Sequence, residues 1–300
     1  MKQLLIILIA ATTVSCTPRK TPEIPYPQPP NDSVISFLPG IVSTGKDTID
    51  FNATFSPDGR AFYFTRSQNR KWDIHVTRFE NGHWTKAVKA GVGENDEYSE
   101  ADPMFGPDGA LYYISDRPRN DADTLRDFDI WRVKPMTNGG WSAPENITEV
   151  NTDSTEYYVS FAGDGTMYFA SSRAGGYGAE DIYKSRRVNG TYTTPENLGP
   201  QINTKYSDHD PYLPINEKFI IYTSVDRPGG PGQGDLFFAT KDENGNWQES
   251  KPMGSKFNTP TYEYCSYLSP DHKYFFFSSR GDVKWSRTEI LPNELIRSLP

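Results

Sequence analysis

Acids and arginines recur along this chain at intervals that would gather them in one place if the intervening segments fold alike. The acids are Asp50, Glu100, Glu156, Asp208 and Glu263, and arginines follow at Arg66, Arg117, Arg173, Arg227 and Arg280. Beyond each arginine stands another aspartate: Asp73, Asp129, Asp181, Asp235 and Asp282. Two carboxyls about 5 to 9 Å apart, one with a raised pKa, could hydrolyse a glycosidic bond. Glu100, Glu156, Asp208 and Glu263 are the acids to consider, with His209 and Asp210 as local departures from the repeat. The same groups paired charge against charge would form structural ties instead, each arginine holding a loop to its own aspartate and to the acid before it. Repetition favours ties, because a catalytic site needs distinct residues in distinct places. A third use is a charged funnel that binds a polar ligand or a cation. Its candidate residues are Glu100, Glu156, Asp208, His209, Asp210 and Glu263 with Arg117, Arg173 and Arg227.

Other chemistry is thinly supported. His75, His83, His209 and His272 lack metal-ligand spacing, so neither metal nor cofactor is expected. The glycine-rich stretches after Arg173 and Arg227 join two strands, whereas a phosphate cradle leads into a helix. Cys265, in the apolar run YEYCSYL, reads as a buried free thiol acting as a small hydrophobe.

The elements that would position these groups are legible from turns. Ser56-Pro57-Asp58-Gly59 recurs as Gly106-Pro107-Asp108-Gly109, Gly163-Asp164-Gly165, Pro214-Ile215-Asn216 and Ser269-Pro270-Asp271. Asn81-Gly82, Asn138-Gly139, Asn189-Gly190 and Asn244-Gly245 follow, each just ahead of Trp84, Trp141, Tyr192 or Trp247. Asp-Gly and Asn-Gly suit the positive φ of hairpin turns. The aromatics are expected to pack between units. Four short strands per unit of about 50 residues describes a β-propeller blade. Copies lie near 50–92, 100–148, 156–198, 208–254 and 263–300, and the last lacks an outer strand. Residues 34–43 (VISFLPGIVS) can supply it and close the ring, which removes an exposed sheet edge. The expectation is a five-bladed all-β propeller over 34–300; six blades would need a further copy. Turns alternate between the two ends of a blade, so the acids, arginines and strand-opening aspartates share one face. On it, loops 117–128, 173–180 and 227–234 are the longest, and loops on a rigid scaffold carry recognition.

The Pro-Asp-Gly turn, the Ser-x-Arg ending of the second strand and the Asp-Ile-Tyr of the third resemble the WD-like Pro-Asp propeller repeat. TolB-type periplasmic proteins and many Bacteroidota envelope lipoproteins carry it. The resemblance covers 34–300 and implies an interaction platform more than an activity. It gives Asp58, Asp108, Asp164, Asp271, Asp73, Asp129, Asp181, Asp235 and Asp282 structural roles in the repeat. TolB-type proteins usually have six blades and an extra N-terminal domain, neither of which is evident here.

Residues 1–16 (MKQLLIILIAATTVSC) hold an apolar run too short for a permanent bilayer span and read as a signal peptide. Thr13-Val14-Ser15-Cys16 resembles a lipobox, which implies lipidation of Cys16 and a membrane anchor. Cys265 would then have no disulfide partner. Residues 17–33 hold six prolines and are expected to be a semi-rigid spacer that buries nothing. The expected location is the outer membrane, facing the periplasm rather than the cell surface. With 31 Lys and Arg against 39 Asp and Glu, the net charge of −8 argues against a nucleic-acid partner. The reading is a monomeric platform for an envelope protein or a cell-surface or cell-wall glycan, with a carbohydrate-active enzyme as the alternative.

Overall fold

In a computed structural model, residues 21–300 are described apart from Lys46, 94–96 and Asn138. The signal peptide and Cys16 lie outside the described residues. Five antiparallel sheets follow one another along the chain. Their inner strands are Ile49–Phe55, Glu100–Phe105, Glu156–Phe161, Ser207–Tyr212 and Glu263–Leu268. Each pairs with a second strand, and that with a third: Ala61–Gln68 and Lys71–Glu80 in blade one, Leu111–Ser115 and Asp129–Val133 in blade two. Met167–Ser171 and Asp181–Ser185 follow in blade three, Phe219–Val225 and Gly234–Thr240 in blade four, and Tyr274–Ser279 and Asp282–Arg287 in blade five. The protein is a five-bladed β-propeller.

Closure falls to the N-terminal strand. Ile35–Ser36 pairs antiparallel with the third strand of blade five, opposite Trp285 and Lys284. Phe37, fully buried, completes the seam between Phe62 of blade one and Phe276 and Trp285 of blade five, at centroid distances of 4.6 to 5.1 Å.

Outer strands are shorter than the turn pattern implies. In blade three, Asn189-Gly190 closes a two-stranded ribbon of Arg187–Val188 and Thr191–Tyr192; the outer strand is Glu196–Asn197. The ribbon's aromatic then reaches the preceding blade. Trp141 donates through Nε1 to Ala90 O, and the Tyr192 hydroxyl lies 3.3 Å from that of Tyr112.

The turn aspartates do local work on one face, the lower one. Asp108 and Asp164 each accept from the backbone N–H two residues on, as Asp58 and Asp271 do. Gly59, Gly109 and Gly165 complete these turns at φ of 72° to 87°, where Glu217 and His272 stand in blades four and five at φ of 50° and 57°.

The proline-rich segment is not a free spacer from residue 21 onward. It runs over the lower face as a strap across blades one and five. Ile24 is buried and packs so closely on Gly59 that a Cβ there would lie 2.7 Å from it. Trp84 Nε1 donates to Pro25 O, the Tyr26 hydroxyl donates to Asp271, and Arg287 Nε donates to Pro30 O. Prolines set an extended backbone, and the apolar side chains between them find the propeller.

Candidate functional site

The upper face carries the acid and arginine series. Each acid opens an inner strand, is almost fully buried and is committed as an acceptor. Glu156 takes the backbone N–H and hydroxyl of Thr152, the Ser171 hydroxyl and an ion pair with Arg173 at 3.2 Å. Asp208 takes both groups of Thr204 and Ser224 Oγ. Glu263 takes both groups of Thr259, with Thr261 and Ser279. Asp50 binds Thr44, Thr48 and Arg66, the last at 2.6 Å, and Glu100 binds Arg117 at 2.8 Å. Burial outweighs the arginine at Glu100 and lifts its pKa to about 7. Immediately before three of these threonines stand Asn151, Asn203 and Asn258. Each side-chain amide bridges the N–H and C=O of one third-strand residue, Ile130, Ile182 or Leu236. This Asn-Thr-x-x-x-acid pattern is plain in the sequence and went unread there.

The arginines are not equivalent. The acids pair across the ladder with Arg66, Ser115, Ser171, Ser224 and Ser279. The arginine is therefore at the paired position in blade one and two beyond it in blades two and three. It is three beyond in blade four and one beyond in blade five. Even offsets return to the acid's side of a strand and odd ones do not. Arg227 accordingly turns to the Tyr222 hydroxyl at 2.7 Å and the Phe237 ring. Arg280 is exposed and makes no ion pair or hydrogen bond among the described residues.

The expected tie from each arginine to its own third-strand aspartate does not form among the described residues. Those aspartates hold their own loops. Asp181 accepts from the N–H groups of Tyr177 and Gly178 and from Asn197, and Asp235 accepts from Gly232 N–H. The approach needs glycine: a Cβ on Gly176 would lie 2.3 Å from Asp181 Oδ2. Asp129 binds Asn146 and lies 3.4 Å from Arg119; burial pushes its pKa to about 7. Asp73 meets Lys71 and Lys89, and Asp282 meets Lys284 and Ser36.

Two residues beyond each acid the inner strand bulges. Asn52, Asp102, Tyr158, Asp210 and Cys265 sit there at φ of 41° to 55°, where side chains are strained. The bulges stitch blades together. Asn52 donates to Asp102, Asp102 N–H to Thr65, Asn52 N–H to Ser278, and the Cys265 N–H and thiol to Asp210. Tyr158, fully buried, reaches from blade three to Ser266 O of blade five. The axis at this level is thus packed with side chains rather than an open funnel. Burial, reinforced by Asp210, raises Asp102 to about 7.

His209 and Asp210 leave the repeat together. His209 Nδ1 lies 3.1 Å from Asp210 Oδ1, and its Nε2 lies 2.7 Å from the Tyr262 hydroxyl, whose ring stacks on the imidazole. Burial opposes a charged imidazole, but the Asp210 carboxylate prevails and raises the His209 pKa. Phe51, Trp72, Phe128, Tyr157, Tyr262 and Tyr264 make an aromatic group around these residues.

Beside it a cleft of about 750 Å³ opens over blade five. Ile49, Tyr262 and Tyr264 line it with Thr48, Gln233, Thr261 and Arg280. Blade five shares with blade one, at Asn69-Arg70, an upper loop of only two residues. Arg280-Gly281, at φ of 55° and 75°, is a two-residue turn joining strands that longer loops join in blades two to four. The sequence directed attention to the long loops, whereas the concavity lies over a short one.

Comparison with solved structures agrees with the fold. A thermostable family-43 glycoside hydrolase superposes with a TM-score of 0.51 at 12% identity, over 81% of this chain and 89% of its own. The catalytic domain of a Coprinopsis cinerea family-62 α-L-arabinofuranosidase gives 0.50 at 11%, over 81% and 91%. TolB-type propellers are also similar; one described as a TolB from Agrobacterium tumefaciens gives 0.47 at 14%, over 80% and 78%. No family model matches the sequence, and neither does any curated protein.

Proposed function

We propose that this chain is a binding propeller of the cell envelope, held at the outer membrane through a lipid on Cys16 and facing the periplasm, and that it takes up a glycan without cleaving it. One observation carries the non-catalytic part. The carboxylates at the inner-strand starts are occupied by threonine, serine and arginine donors, so they are ill placed to pass protons to a substrate. The cleft beside them offers what a saccharide uses: tyrosine rings and short polar side chains on a rigid frame. Glycan-array binding by the full chain, together with reducing-end release from the bound glycans, tests the reading. Binding without release is expected; release of reducing ends refutes it.

A hydrolase reading is favoured by the pair of Asp102, whose pKa burial raises to about 7 as it does those of Glu100 and Asp129, and Asp210 beside it. Such a raised acid could donate a proton. Against it, both groups are buried and neither lines the cleft. In the same release assay, activity lost on Asp102→Asn would support this second reading.

A further inference from the structure

The cleft does not stop at Arg280. That residue also forms a wall of an adjoining groove of about 340 Å³, lined by Lys256, Lys284, Ser279, Thr259 and Phe257. Three cations therefore converge over blade five of a protein whose net charge is −8. Lys284 is balanced by Asp282 at 2.9 Å, while Lys256 and Arg280 are exposed and make no ion pair among the described residues. Arg280 is also held at φ 55°, in a turn position that asparagine, aspartate or glycine fills more easily. The positive φ serves the two-residue turn, as at Asn69-Arg70 in blade one, and the guanidinium itself is left uncommitted among the described residues. Every other arginine of the series is tied to an acid or a tyrosine.

We propose that the cleft and groove together form a subsite for an acidic saccharide, one bearing uronate carboxylates. This rests on the glycan reading above and names its class. The planar guanidinium of Arg280 matches a carboxylate through two parallel N–H donors. A sugar ring adjoining that carboxylate would lie in the larger cleft, against the tyrosines and Ile49, which is 49% exposed. Thr48, Thr261 and Gln233 face its hydroxyls from the cleft wall. A further carboxylate along the chain would meet Lys256 and Lys284. Tyr262 presents a fixed ring, because His209 holds its hydroxyl and Asp210 faces the other imidazole nitrogen. The two residues by which the sequence marked blade four thus act as positioning residues for the cleft.

The test uses the full chain and titration calorimetry with three probes: a galacturonate tetramer, a neutral galactose tetramer and hexaglutamate. The uronate should bind at least tenfold tighter than either other probe, and more weakly as salt rises. Arg280→Ala should weaken it about tenfold or more and Arg280→Lys by less, with thermal unfolding unchanged because Arg280 supports no contact. Equal affinity in wild type and Arg280→Ala overturns the assignment of this subsite. Tighter binding of hexaglutamate makes it a peptide site and overturns the saccharide. Uronate no tighter than the neutral sugar overturns the acidic class and leaves the glycan reading standing. An array on which no glycan binds sinks both.

Discussion

Replacing the arginines one at a time by alanine separates the tied from the untied. Arg173 is 16% exposed and its partner Glu156 is fully buried. Removing one member of a buried pair costs about 3 to 5 kcal/mol. Glu156 keeps Thr152 and Ser171 as donors, so the loss in Arg173→Ala should be near the lower end, about 3 kcal/mol. Arg66 and Arg117, 13% and 10% exposed against nearly buried acids, should behave alike. Arg227 loses one hydrogen bond to Tyr222 and a ring contact, about 1 kcal/mol. Arg280→Ala should cost close to nothing. At a urea m-value of about 3 kcal/mol/M, the first three midpoints fall by about 1 M and that of Arg280→Ala stays put. Equal shifts across all five would refute the argument from ladder register.

Deleting 21–30 should lower the melting temperature by about 5 to 10 °C, since burial of Ile24 contributes about 1.5 to 3 kcal/mol and the half-buried Tyr26 a smaller share; an unchanged value would mean the strap adds no stability. Glu100, Asp102 and Asp129 have folded pKa values raised to about 7, so the unfolded chain releases their protons first and stability should fall as pH rises from about 4 to 7. Asp102→Asn should flatten part of that slope in urea midpoints at pH 5 and pH 8; an identical slope counts against Asp102 as a source. Cys16→Ala should abolish fatty-acid labelling and move the chain to the soluble fraction, and membrane association that survives it would defeat the anchor.

Blade number and closure were legible because each turn carries a backbone demand, positive φ at Gly59 or Gly82, that few residues meet. The arginines misled because distance from the Pro-Asp turn hides ladder register, where one residue changes the face. The bulge residues are chemically unlike one another, so no pattern marked Asn52, Asp102, Tyr158, Asp210 and Cys265 as a set. The strap escaped because proline content reveals backbone stiffness but not what Ile24 and Tyr26 touch. The cleft escaped because its walls come from segments far apart in sequence, Thr48-Ile49, Gln233, Thr261-Tyr262 and Arg280.

The strap also decides how the ring bears load. Its closing strand is two residues long, so a pull applied there would peel the seam one hydrogen bond at a time. Tension arriving from the N-terminal side meets Ile24, Pro25, Tyr26 and Pro30 first, and these grip blades one and five across the seam. The pull is spread over both blades as shear before it reaches Ile35. The strap lies on the lower face, so the lipid tether proposed above, if drawn taut, would turn the cleft away from its point of attachment.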